Sequence, residues 1–488
     1  MFHENWYSDA QVGDLQLLVD KVSKIPKKGV FIEVGCWEGK STVALANRCY
    51  PEILFCNDTW KGNVEESKAT GKTHPTETIL KERNVLMVFK HNMNTCTRGN
   101  YSIVQEDCLT WLASVQDPIQ FIHIDASHEY ESVKKTVNLV KSRVVPGGII
   151  CGADFISAHQ GRLDLHGGVE RAVRESFGNE FQQKGNLWYW QNLVFPITFS
   201  IPESKMVTTL PPKTKTMSGQ IPTNTKTYTY EREADYYGEY QSSYFATTKK
   251  KGGWDCLRHY EIVANGCLPY FENDPTECPN RTMALWSKTL WMDARRLYDA
   301  WKGTPEDHNT WERLMNQSMD HVKKHLTTKR IADYLLDTTG HHQTQRILFL
   351  SGDLYPDYLR CLTLHGLKER MGAHCHDYPQ VSHLYENCSI PNASLYGKGM
   401  TYAKLLDPSL HDDRLDATVE KDIADKVYDL IIYGSVHRGM PFYEQVASIY
   451  EPHQIILLCG EDIHDNHWID CIPTWISKGH FLLVRELV

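Results

Sequence analysis

Four aspartates and one histidine follow the predicted strands in the first third of the 488-residue chain. Asp58, Asp107, Asp125 and Asp154 each end a predicted strand, and His128 lies one short turn beyond Asp125. In open α/β sheets, ligands bind outside the carboxyl ends of the strands. Asp125 and Asp154 meeting there suit a hard divalent cation such as Mg²⁺. His128 could take a proton from a hydroxyl held beside them.

A strand that turns sharply into a helix is predicted within residues 29–42. The apolar run ends at Glu33 and Gly35, and Gly39 and Ser41 begin the helix. Small residues at such a turn let a ligand lie against bare backbone. The Glu-x-Gly-x-x-x-Gly spacing is neither the dinucleotide-binding pattern nor a P-loop. An acid two residues before the first glycine suits a cationic amino-acid end, which favours S-adenosylmethionine over NAD or ATP. A purely structural turn is the alternative.

Two further acids fit the same cofactor. Asp58 ends the second predicted strand, where doubly wound folds place an acid that accepts hydrogen bonds from ribose hydroxyls. Asp107 ends the third predicted strand and could face the adenine side of the pocket. We therefore predict that both acids and the four turn residues bind the cofactor. Each acid taken alone could instead be a solvated loop residue.

Four motifs of this segment resemble class I methyltransferases, most closely the branch that includes sugar and macrolide-sugar O-methyltransferases. They occupy residues 31–42, 58–62, 122–130 and 146–154, in that order. The resemblance covers nearly the whole segment. It implies a Rossmann-like domain, S-adenosylmethionine as the cofactor and a sugar hydroxyl as the acceptor.

The same resemblance implies roles for the strand-end residues. In that branch Mg²⁺ is held by the acid of an Asp-x-x-His motif and by an acid pair after the next strand, and the histidine is the general base in some members. Carried over, Asp125 and Asp154 would be metal ligands and His128 the base. Ala153 stands where the family often has a second acid. His128 acting directly on the acceptor hydroxyl, without a metal, is therefore the alternative.

A second group of charged residues follows a stretch rich in Lys, Pro, Thr and Ser at 203–230, which predicts a connector. Lys251, Arg258 and Glu261 lie where small residues lead into a predicted helix that Gly266 ends. A helix N-terminus with Arg and Lys can hold a diphosphate, and Glu261 could accept ribose hydroxyls. A surface helix with an ion pair one turn apart is the alternative.

This second stretch resembles the nucleotide-sugar-binding part of GT-B glycosyltransferases, notably exostosin-like ones with a Gly…Arg-x-x-Glu…Gly-Cys-x-Pro pattern. The resemblance implies that Arg258 contacts the donor diphosphate and Glu261 the donor ribose. Strand-loop-helix units then recur towards the C-terminus and predict a second Rossmann-like lobe. Its candidate polar groups are Asp353, Asp357, His437, Arg438, Glu461 and Asp462, with a possible ligand loop at Tyr396–Gly399.

Composition narrows the classes of function. Hydrophobic residues make up 41% and charged residues 23% of the chain, as in globular proteins with a sizeable core. The net charge of −9 does not favour nucleic-acid or anionic-membrane binding. No signal peptide and no run of about 18 apolar residues is visible, so we expect a cytoplasmic protein without a membrane span. The 14 cysteines contain no Cys-x-x-Cys pair, which favours reduced thiols.

The sequence therefore predicts an α/β protein in three parts. Residues 1–195 form a methyltransferase domain, 196–340 a nucleotide-sugar-binding lobe, and 341–488 a second Rossmann-like lobe of a GT-B-like region. The predicted function is bifunctional glycan modification: O-methyl transfer with His128 as base, and glycosyl transfer from a nucleotide-diphosphate sugar. One alternative is a methyltransferase for a small molecule or protein whose C-terminal half only binds the acceptor. A non-enzymatic glycan-binding scaffold is another.

Overall fold

The computed structural model describes residues 2–4, 6–71, 73–155, 163–462 and 467–488. The chain forms two compact units. The first unit comprises Met1–Leu193 and Ile472–Gly479, and the second comprises Val194–Cys471 and His480–Val488. Both units are built from parallel strands with intervening helices, so the predicted α/β class is confirmed.

The first unit contains a seven-stranded sheet with the strand order β3-β2-β1-β4-β5-β7-β6. Only the pairings that involve β7 are antiparallel. Its strands are β1 (Val30–Val34), β2 (Leu54–Asn57), β3 (Tyr101–Val104), β4 (Ile119–Ile124), β5 (Val144–Gly152), β6 (Phe181–Lys184) and β7 (Leu187–Gln191). Its helices are α1 (Asp9–Ser23), α2 (Lys40–Cys49), α3 (Val64–Thr70), α4 (Pro75–Glu82), α5 (Val85–Cys96), α6 (Cys108–Ser114), α7 (Tyr130–Val140) and α8 (Leu163–Phe177).

Alternation along the central strand explains why helices cover both faces of this sheet. Phe31 packs in a core with apolar side chains of α1 and α2. Ile32 and Val34, which point to the opposite face, pack in a second core with α7 and α8. A strand that is apolar on both sides can be buried only between two helical layers. The sheet and its connections therefore present the carboxyl ends of β1 to β5 at one edge.

The structure shifts several element boundaries within this unit. A Pro-Gly-Gly run predicts a turn, but Pro146, Gly147 and Gly148 lie inside β5, which begins at Val144. The helix pattern before this run extends to Val145, yet α7 ends at Val140. Gly148 fits within the strand because a Cβ there would meet the carbonyl of Gln120 at 3.0 Å.

The second unit contains two all-parallel sheets, one of three strands ordered β11-β10-β9 and one of six ordered β13-β12-β14-β15-β16-β8. Its strands are β8 (Val194–Pro196), β9 (Lys215–Met217), β10 (Ser243–Thr248), β11 (Leu268–Phe271), β12 (Ile347–Leu350), β13 (Cys375–Tyr378), β14 (Leu430–Tyr433), β15 (Ile455–Cys459) and β16 (Phe481–Val484). Its helices begin with α9 (Glu233–Gln241), α10 (Leu257–Ala264), α11 (Lys288–Ala300), α12 (Pro305–His325) and α13 (Thr328–Thr338). The remaining helices are α14 (Tyr358–Met371), α15 (Asp413–Asp416), α16 (Val419–Ala424), α17 (Tyr443–Ile449) and α18 (His467–Ser477), the last reaching into the stretch that clusters with the first unit.

The three strands predicted for the last segment, β12, β14 and β15, are neighbours in the six-stranded sheet. The apolar and aromatic pattern over residues 186–194 predicts a single strand, but β7 ends at Gln191, and β8 begins at Val194 and pairs with β16 in the second unit. The stretch 203–230 was expected to be a connector, yet it contributes β9 to the small sheet. Short strands such as β9 carry too few residues for a periodic signal.

The segments that precede and follow the three-stranded sheet meet inside the second unit. Ile201 forms a bridge with Thr327, so the chain enters and leaves the three-stranded part at neighbouring points. Helix α13 then packs along α14. Among the described residues, none of the helices has the length and apolarity needed to cross a membrane.

Candidate functional site

A cavity of about 1100 Å³ opens at the carboxyl ends of β1, β2, β4 and β5 in the first unit. We call it the acidic cavity, because eight carboxylates but only two lysines line it. The carboxylates belong to Asp58, Glu66, Glu106, Asp107, Asp125, Glu129, Glu131 and Asp154, and the lysines are Lys61 and Lys135. This charge balance favours a cationic ligand over a phosphate.

His128 lies at the centre of the carboxylates in the acidic cavity. Its Nδ1 is 2.9 Å from Glu66 Oε1, and its Nε2 is 3.0 Å from Asp154 Oδ2 and 3.5 Å from Asp125 Oδ1. The backbone N–H of His128 also donates to Glu66 Oε1 at 2.7 Å. Glu66 therefore fixes the orientation of the imidazole from one side, and Nε2 points to the two aspartates.

The protonation of this group follows from its surroundings. Burial alone would lower the pKa of His128, but hydrogen bonds to Asp125, Asp154 and Glu66 outweigh burial and raise the pKa well above 6.5. For Glu66, burial acts in the other direction and raises the pKa, yet hydrogen bonds with His128 leave that pKa below the usual value. The carboxylates around His128 therefore favour its protonated, cationic form.

A buried chain of polar groups lies behind Asp125. Tyr7 donates its hydroxyl hydrogen to Asp125 Oδ2 at 2.8 Å and lies 3.2 Å from His123 Nε2. His123 Nδ1 is in turn 3.1 Å from Glu33 Oε1, and both side chains are fully buried. Glu33, predicted to bind the cofactor, thus lies beneath the cavity and not in its wall. Its connection to Asp125 runs through His123 and Tyr7.

The turn after β1 is shaped by close backbone approach. Gly35 has φ +88°, and a Cβ there would lie 2.0 Å from the carbonyl oxygen of Asp125, so the ends of β1 and β4 can meet only at a glycine. Gly39 has φ +89° and packs against the ring of Phe89. Of the four predicted turn residues, only Gly35 lines the cavity, while Gly39 and the buried Ser41 lie outside its wall.

Asp58, predicted to bind the cofactor ribose, lies in the cavity wall. Its carboxylate accepts hydrogen bonds from the backbone N–H groups of Trp37 at 2.9 Å and Trp60 at 2.6 Å. Burial raises the pKa of Asp58, and these amides act in the opposite direction. Asp107 also lines the cavity, but it is exposed and caps α6 by accepting from the backbone N–H of Thr110.

The structure brings Gly35, Asp58, Asp107, Asp125, His128 and Asp154 to one cavity, and it adds Tyr7 and Glu66, which the sequence did not indicate. Tyr7 precedes the first helix, and Glu66 lies on α3, so neither follows a strand. No spacing pattern links them to the strand ends. Only tertiary packing shows that they contact the site residues.

The ligand atoms of Asp125, His128 and Asp154 all lie within 4.8 Å of one another, as a shared metal ion requires. Two carboxylate oxygens fit the preference of Mg²⁺, and the imidazole nitrogen fits it less well. Asp154 has φ +55°, a left-handed conformation that is uncommon for a residue other than glycine. The residues present thus suit a divalent cation, with two carboxylates where the resembling family often has three.

A second cavity, of about 700 Å³, lies in the second unit. Its wall follows the carboxyl ends of β10, β12, β14, β15 and β16, and we call it the mixed cavity because five basic and five acidic side chains line it. The basic residues are Lys251, Arg258, Lys398, Arg438 and Arg485, and the acidic ones are Asp255, Glu261, Asp357, Glu461 and Asp462. His437, Tyr396 and Gly397 also belong to the wall, whereas Asp353 does not.

Arg258 projects into the mixed cavity with unused donors. Across the described residues, no hydrogen-bond partner faces its Nε or Nη1, and its guanidinium lies 5.6 Å from the ring centre of Tyr228. Glu261 is buried and accepts from the hydroxyls of Tyr236, at 2.6 Å, and Thr401. Lys251, the third predicted residue, is exposed at the cavity wall.

The C-terminal end of the chain fixes the loop that leads into α10. Glu486 accepts hydrogen bonds from the backbone N–H groups of Trp254 at 3.0 Å and Asp255 at 2.9 Å. Arg485 is 2% exposed and donates to the carbonyls of Asp255 and Gly460 and to the carboxylate of Asp462. A cationic side chain buried among these acceptors holds loops from both sheets of the second unit in place.

Residues 32–155 match a family model described as a methyltransferase domain. The chain is similar to the O-methyltransferase NovP, with 16% identity over 37% of this chain and 79% of that chain and a TM-score of 0.29. It is also similar to CalS11, a TDP-rhamnose 3′-O-methyltransferase of calicheamicin biosynthesis, with 17% identity over 38% of this chain and 81% of that chain and a TM-score of 0.27. A third similar structure is cofactor-bound Rv0187 from MTB, with 16% identity over 39% of this chain and 82% of that chain and a TM-score of 0.28. With TM-scores below 0.5, these similarities establish neither fold nor function. A comparison with curated proteins finds no match.

Proposed function

We propose that the first unit is an S-adenosylmethionine-dependent O-methyltransferase that acts on a sugar hydroxyl. One observation carries this: the stretch that matches the methyltransferase domain, 32–155, contains Asp58, Asp125, His128 and Asp154, and these four residues line one cavity. The sugar acceptor rests on the resemblance of the Asp-x-x-His motif and its neighbours to sugar O-methyltransferases.

The acidic cavity suits the charge of this cofactor. S-adenosylmethionine would supply an electrophilic methyl group on a sulfonium, and it also carries a cationic ammonium group. Eight carboxylates against two lysines produce a negative potential that favours both cations. Asp58, held by the amides of Trp37 and Trp60, keeps lone pairs for ribose hydroxyls. Gly35 leaves the backbone of the turn open to the cofactor.

His128 would accept the proton of the acceptor hydroxyl. Glu66 holds its Nδ1 and backbone N–H, so Nε2 is the nitrogen that faces the reacting hydroxyl. Asp125 and Asp154 raise the pKa of His128 and favour its protonated imidazole. Engagement of both aspartates by a cation would remove that effect and leave Nε2 free to act as a base.

A magnesium ion fits this role. Asp125 and Asp154 would hold it, and Tyr7 would fix Asp125 through the 2.8 Å hydrogen bond to Oδ2. The ion would supply charge that favours an ionised hydroxyl. Ala153 contributes no carboxylate, so water or the acceptor would complete the coordination. We therefore expect methyl transfer to require Mg²⁺, and assays with and without the ion measure this dependence.

For the second unit we propose a nucleotide-diphosphate-sugar site in the mixed cavity, with glycosyl transfer as its activity. The supporting observation is Arg258, whose Nε and Nη1 have no hydrogen-bond partner in the described part of the chain and which lines the cavity with Lys251 and Glu261. A buried guanidinium with free donors suits a diphosphate. The alternative, a methyltransferase for a small molecule or protein whose C-terminal half only binds the acceptor, predicts acceptor binding without nucleotide binding.

Calorimetric titration of the full chain with S-adenosylhomocysteine, with and without Mg²⁺, tests the first proposal. We expect binding that Asp58→Ala weakens at least about tenfold, because one ribose acceptor is lost. Asp117→Asn, an exposed loop change, is the matched control and should bind as the wild type does. The absence of binding under both conditions would overturn the methyltransferase proposal.

Incubation with S-adenosylmethionine and a panel of free and nucleotide-linked sugars tests the acceptor. Mass spectrometry should show one added methyl group on a sugar, and His128→Gln should lower the rate of this methylation about 10²–10⁴-fold. Methylation of a small molecule or a protein, but of none of the sugars, would favour the alternative acceptor. A separate titration with nucleoside diphosphates tests the mixed cavity, and hydrolysis of a nucleotide sugar would support glycosyl transfer.

A further inference from the structure

A cluster of His376, His411 and Asp416 lies in the second unit, and none of the three lines either cavity. His376 is on β13, the edge strand of the six-stranded sheet, and Asp416 ends α15. His411 follows a 3₁₀ turn at Pro408–Leu410. The chain between His376 and His411 is irregular apart from short turns, so packing alone brings these side chains together.

The distances in the cluster fit a shared metal ion. His376 Nε2 is 3.1 Å from Asp416 Oδ1, and His411 Nε2 is 3.2 Å from Asp416 Oδ2. The two imidazole rings are stacked, with centroids 5.2 Å apart. Neighbouring ligand atoms around a tetrahedral Zn²⁺ with bonds of about 2.0 Å are about 3.3 Å apart. Each imidazole nitrogen thus lies at this spacing from an oxygen of Asp416, and the ligand atoms of all three residues lie within 4.8 Å of one another.

Hydrogen bonding does not account for all of these atoms. His376 Nε2 and Asp416 Oδ1 are buried, and no described residue completes a hydrogen bond to either, although they face each other at 3.1 Å. The side chain of His376 is only 2% exposed. Leaving a buried donor or acceptor without a partner destabilises the fold. A cation between these atoms would satisfy both at once.

The surroundings of His411 also match a metal ligand. Asp377 Oδ1 lies 3.1 Å from His411 Nδ1, which directs Nε2 of the imidazole towards Asp416. Asp377 is itself fully buried and accepts from the hydroxyl of Tyr385 at 2.7 Å, and Lys368 Nζ is 2.9 Å away. Metal-binding histidines usually donate their second N–H to a carboxylate that is held in this way. The outer residue fixes both tautomer and ring orientation.

We propose that His376, His411 and Asp416 bind one zinc-type divalent ion, a site separate from the proposed methyltransferase and nucleotide-sugar sites. Two imidazoles and one carboxylate are the donor set that Zn²⁺ shares with other late first-row metals, whereas Mg²⁺ and Ca²⁺ prefer oxygen ligands alone. Asp416 is 32% exposed, so water can occupy the fourth position. The competing arrangement is a protonated His411 between Asp377 and Asp416, with no ion.

The ion would stabilise the edge of the large sheet. It would join β13 to the segment that contains His411 and α15, and this segment precedes β14 in the chain. A ligand that binds only the folded state shifts unfolding by mass action. Addition of the metal should therefore raise the unfolding temperature by about 3–5 °C at a concentration about 100 times its dissociation constant.

The test uses the full chain carrying Asp154→Asn, which weakens the possible cation site of the acidic cavity. The protein is stripped with a chelator, equilibrated with Zn²⁺ and washed, and its metal content is measured by mass spectrometry. We expect about one equivalent of zinc, lost in both His376→Asn and Asp416→Asn. With Co²⁺ in place of Zn²⁺, we expect the visible absorption of a four-coordinate ion, lost in the same two variants.

His383→Asn is the matched control, because His383 is a buried histidine of the same unit that contacts Cys361 and lies outside the cluster. It should retain the metal. Asp416 is partly exposed, so Asp416→Asn reports on binding even if His376→Asn fails to fold. Equal zinc contents in the background protein and Asp416→Asn, or no thermal shift with Zn²⁺, would overturn the proposal. Loss of methyl transfer bears only on the first unit and would leave this result unaffected.

Discussion

The two cavities occupy the same place in their folds and differ in charge. Both lie outside the carboxyl ends of parallel strands, where loops of the sheet meet. Carboxylates outnumber lysines eight to two in the acidic cavity, whereas acids and bases are equal in the mixed cavity. The fold therefore supplies the position of a site, and the side chains of its loops decide which ligand it favours.

The two cavities also differ in the charge state that they favour for their buried side chains. In the acidic cavity, carboxylates raise the pKa of buried His128 and stabilise its cationic form. In the mixed cavity, burial raises the pKa of Glu261, and that of Asp255 to about 7, which favours their neutral forms. Arg258 keeps its charge there, and its Nε and Nη1 have no hydrogen-bond partner among the described residues. The first site is arranged to hold a cation, and the second retains a cation that can bind an anion.

Removal of the imidazole should have the largest effect on the acidic cavity. We expect His128→Gln to lower kcat for methyl transfer about 10²–10⁴-fold, because the base is lost, while S-adenosylhomocysteine still binds. His91→Gln, an exposed change on α5, is the control and should keep full activity. An active His128→Gln enzyme would show that this histidine serves only to balance the carboxylates.

A side chain added at the turn after β1 should have the second-largest effect on the acidic cavity. A Cβ at Gly35 would lie 2.0 Å from the Asp125 carbonyl, so Gly35→Ala should cost about 3 kcal/mol or more in unfolding free energy and weaken cofactor binding. Gly99 also has a positive φ, +79°, but has nothing within 4 Å of a Cβ. Gly99→Ala should cost only about 1 kcal/mol. If urea denaturation showed equal losses of unfolding free energy for Gly35→Ala and Gly99→Ala, the packing explanation would be contradicted.

Loss of the guanidinium should affect the mixed cavity alone. We expect Arg258→Ala to weaken nucleoside diphosphate binding about 10–100-fold, because charge-assisted hydrogen bonds are lost, and to leave S-adenosylhomocysteine binding unchanged. Arg296→Ala removes an exposed arginine that pairs with Asp293 and should change neither affinity. Calorimetry of both ligands with both variants measures this. Unchanged diphosphate affinity in Arg258→Ala would remove the basis for distinguishing the cavities by ligand.

The smallest expected effect concerns pH. Because Asp255 holds its proton more tightly when folded, the free energy of unfolding should fall as pH rises from about 4 to about 7, by at most about 1.4 kcal/mol per pH unit. Asp255→Asn should remove this slope, so the free energy of unfolding of the variant should rise relative to that of the wild type as pH increases. Exposed Asp337→Asn should keep the slope. Parallel curves for Asp255→Asn and wild type in urea denaturation would show that burial does not control this carboxyl.

The sequence by itself determined the strand-end residues of the acidic cavity. Asp58, Asp125 and Asp154 were predictable because each ends an apolar run, and neighbouring parallel strands must bring such ends together. The same local signals located α10 with Arg258, and β12, β14 and β15. These features depend on residues close in the chain, whose periodicity is visible without knowledge of the fold.

Only the tertiary structure decided which other groups share the site. Glu33 has the spacing of a cofactor ligand, yet its pairing with His123 places it beneath the cavity, and Tyr7 and Glu66 reach Asp125 and His128 from segments without a pattern. The cluster of His376, His411 and Asp416 is likewise formed by an irregular stretch. Contacts between distant residues depend on how loops pack, because irregular backbone carries no periodicity from which its partners could be read.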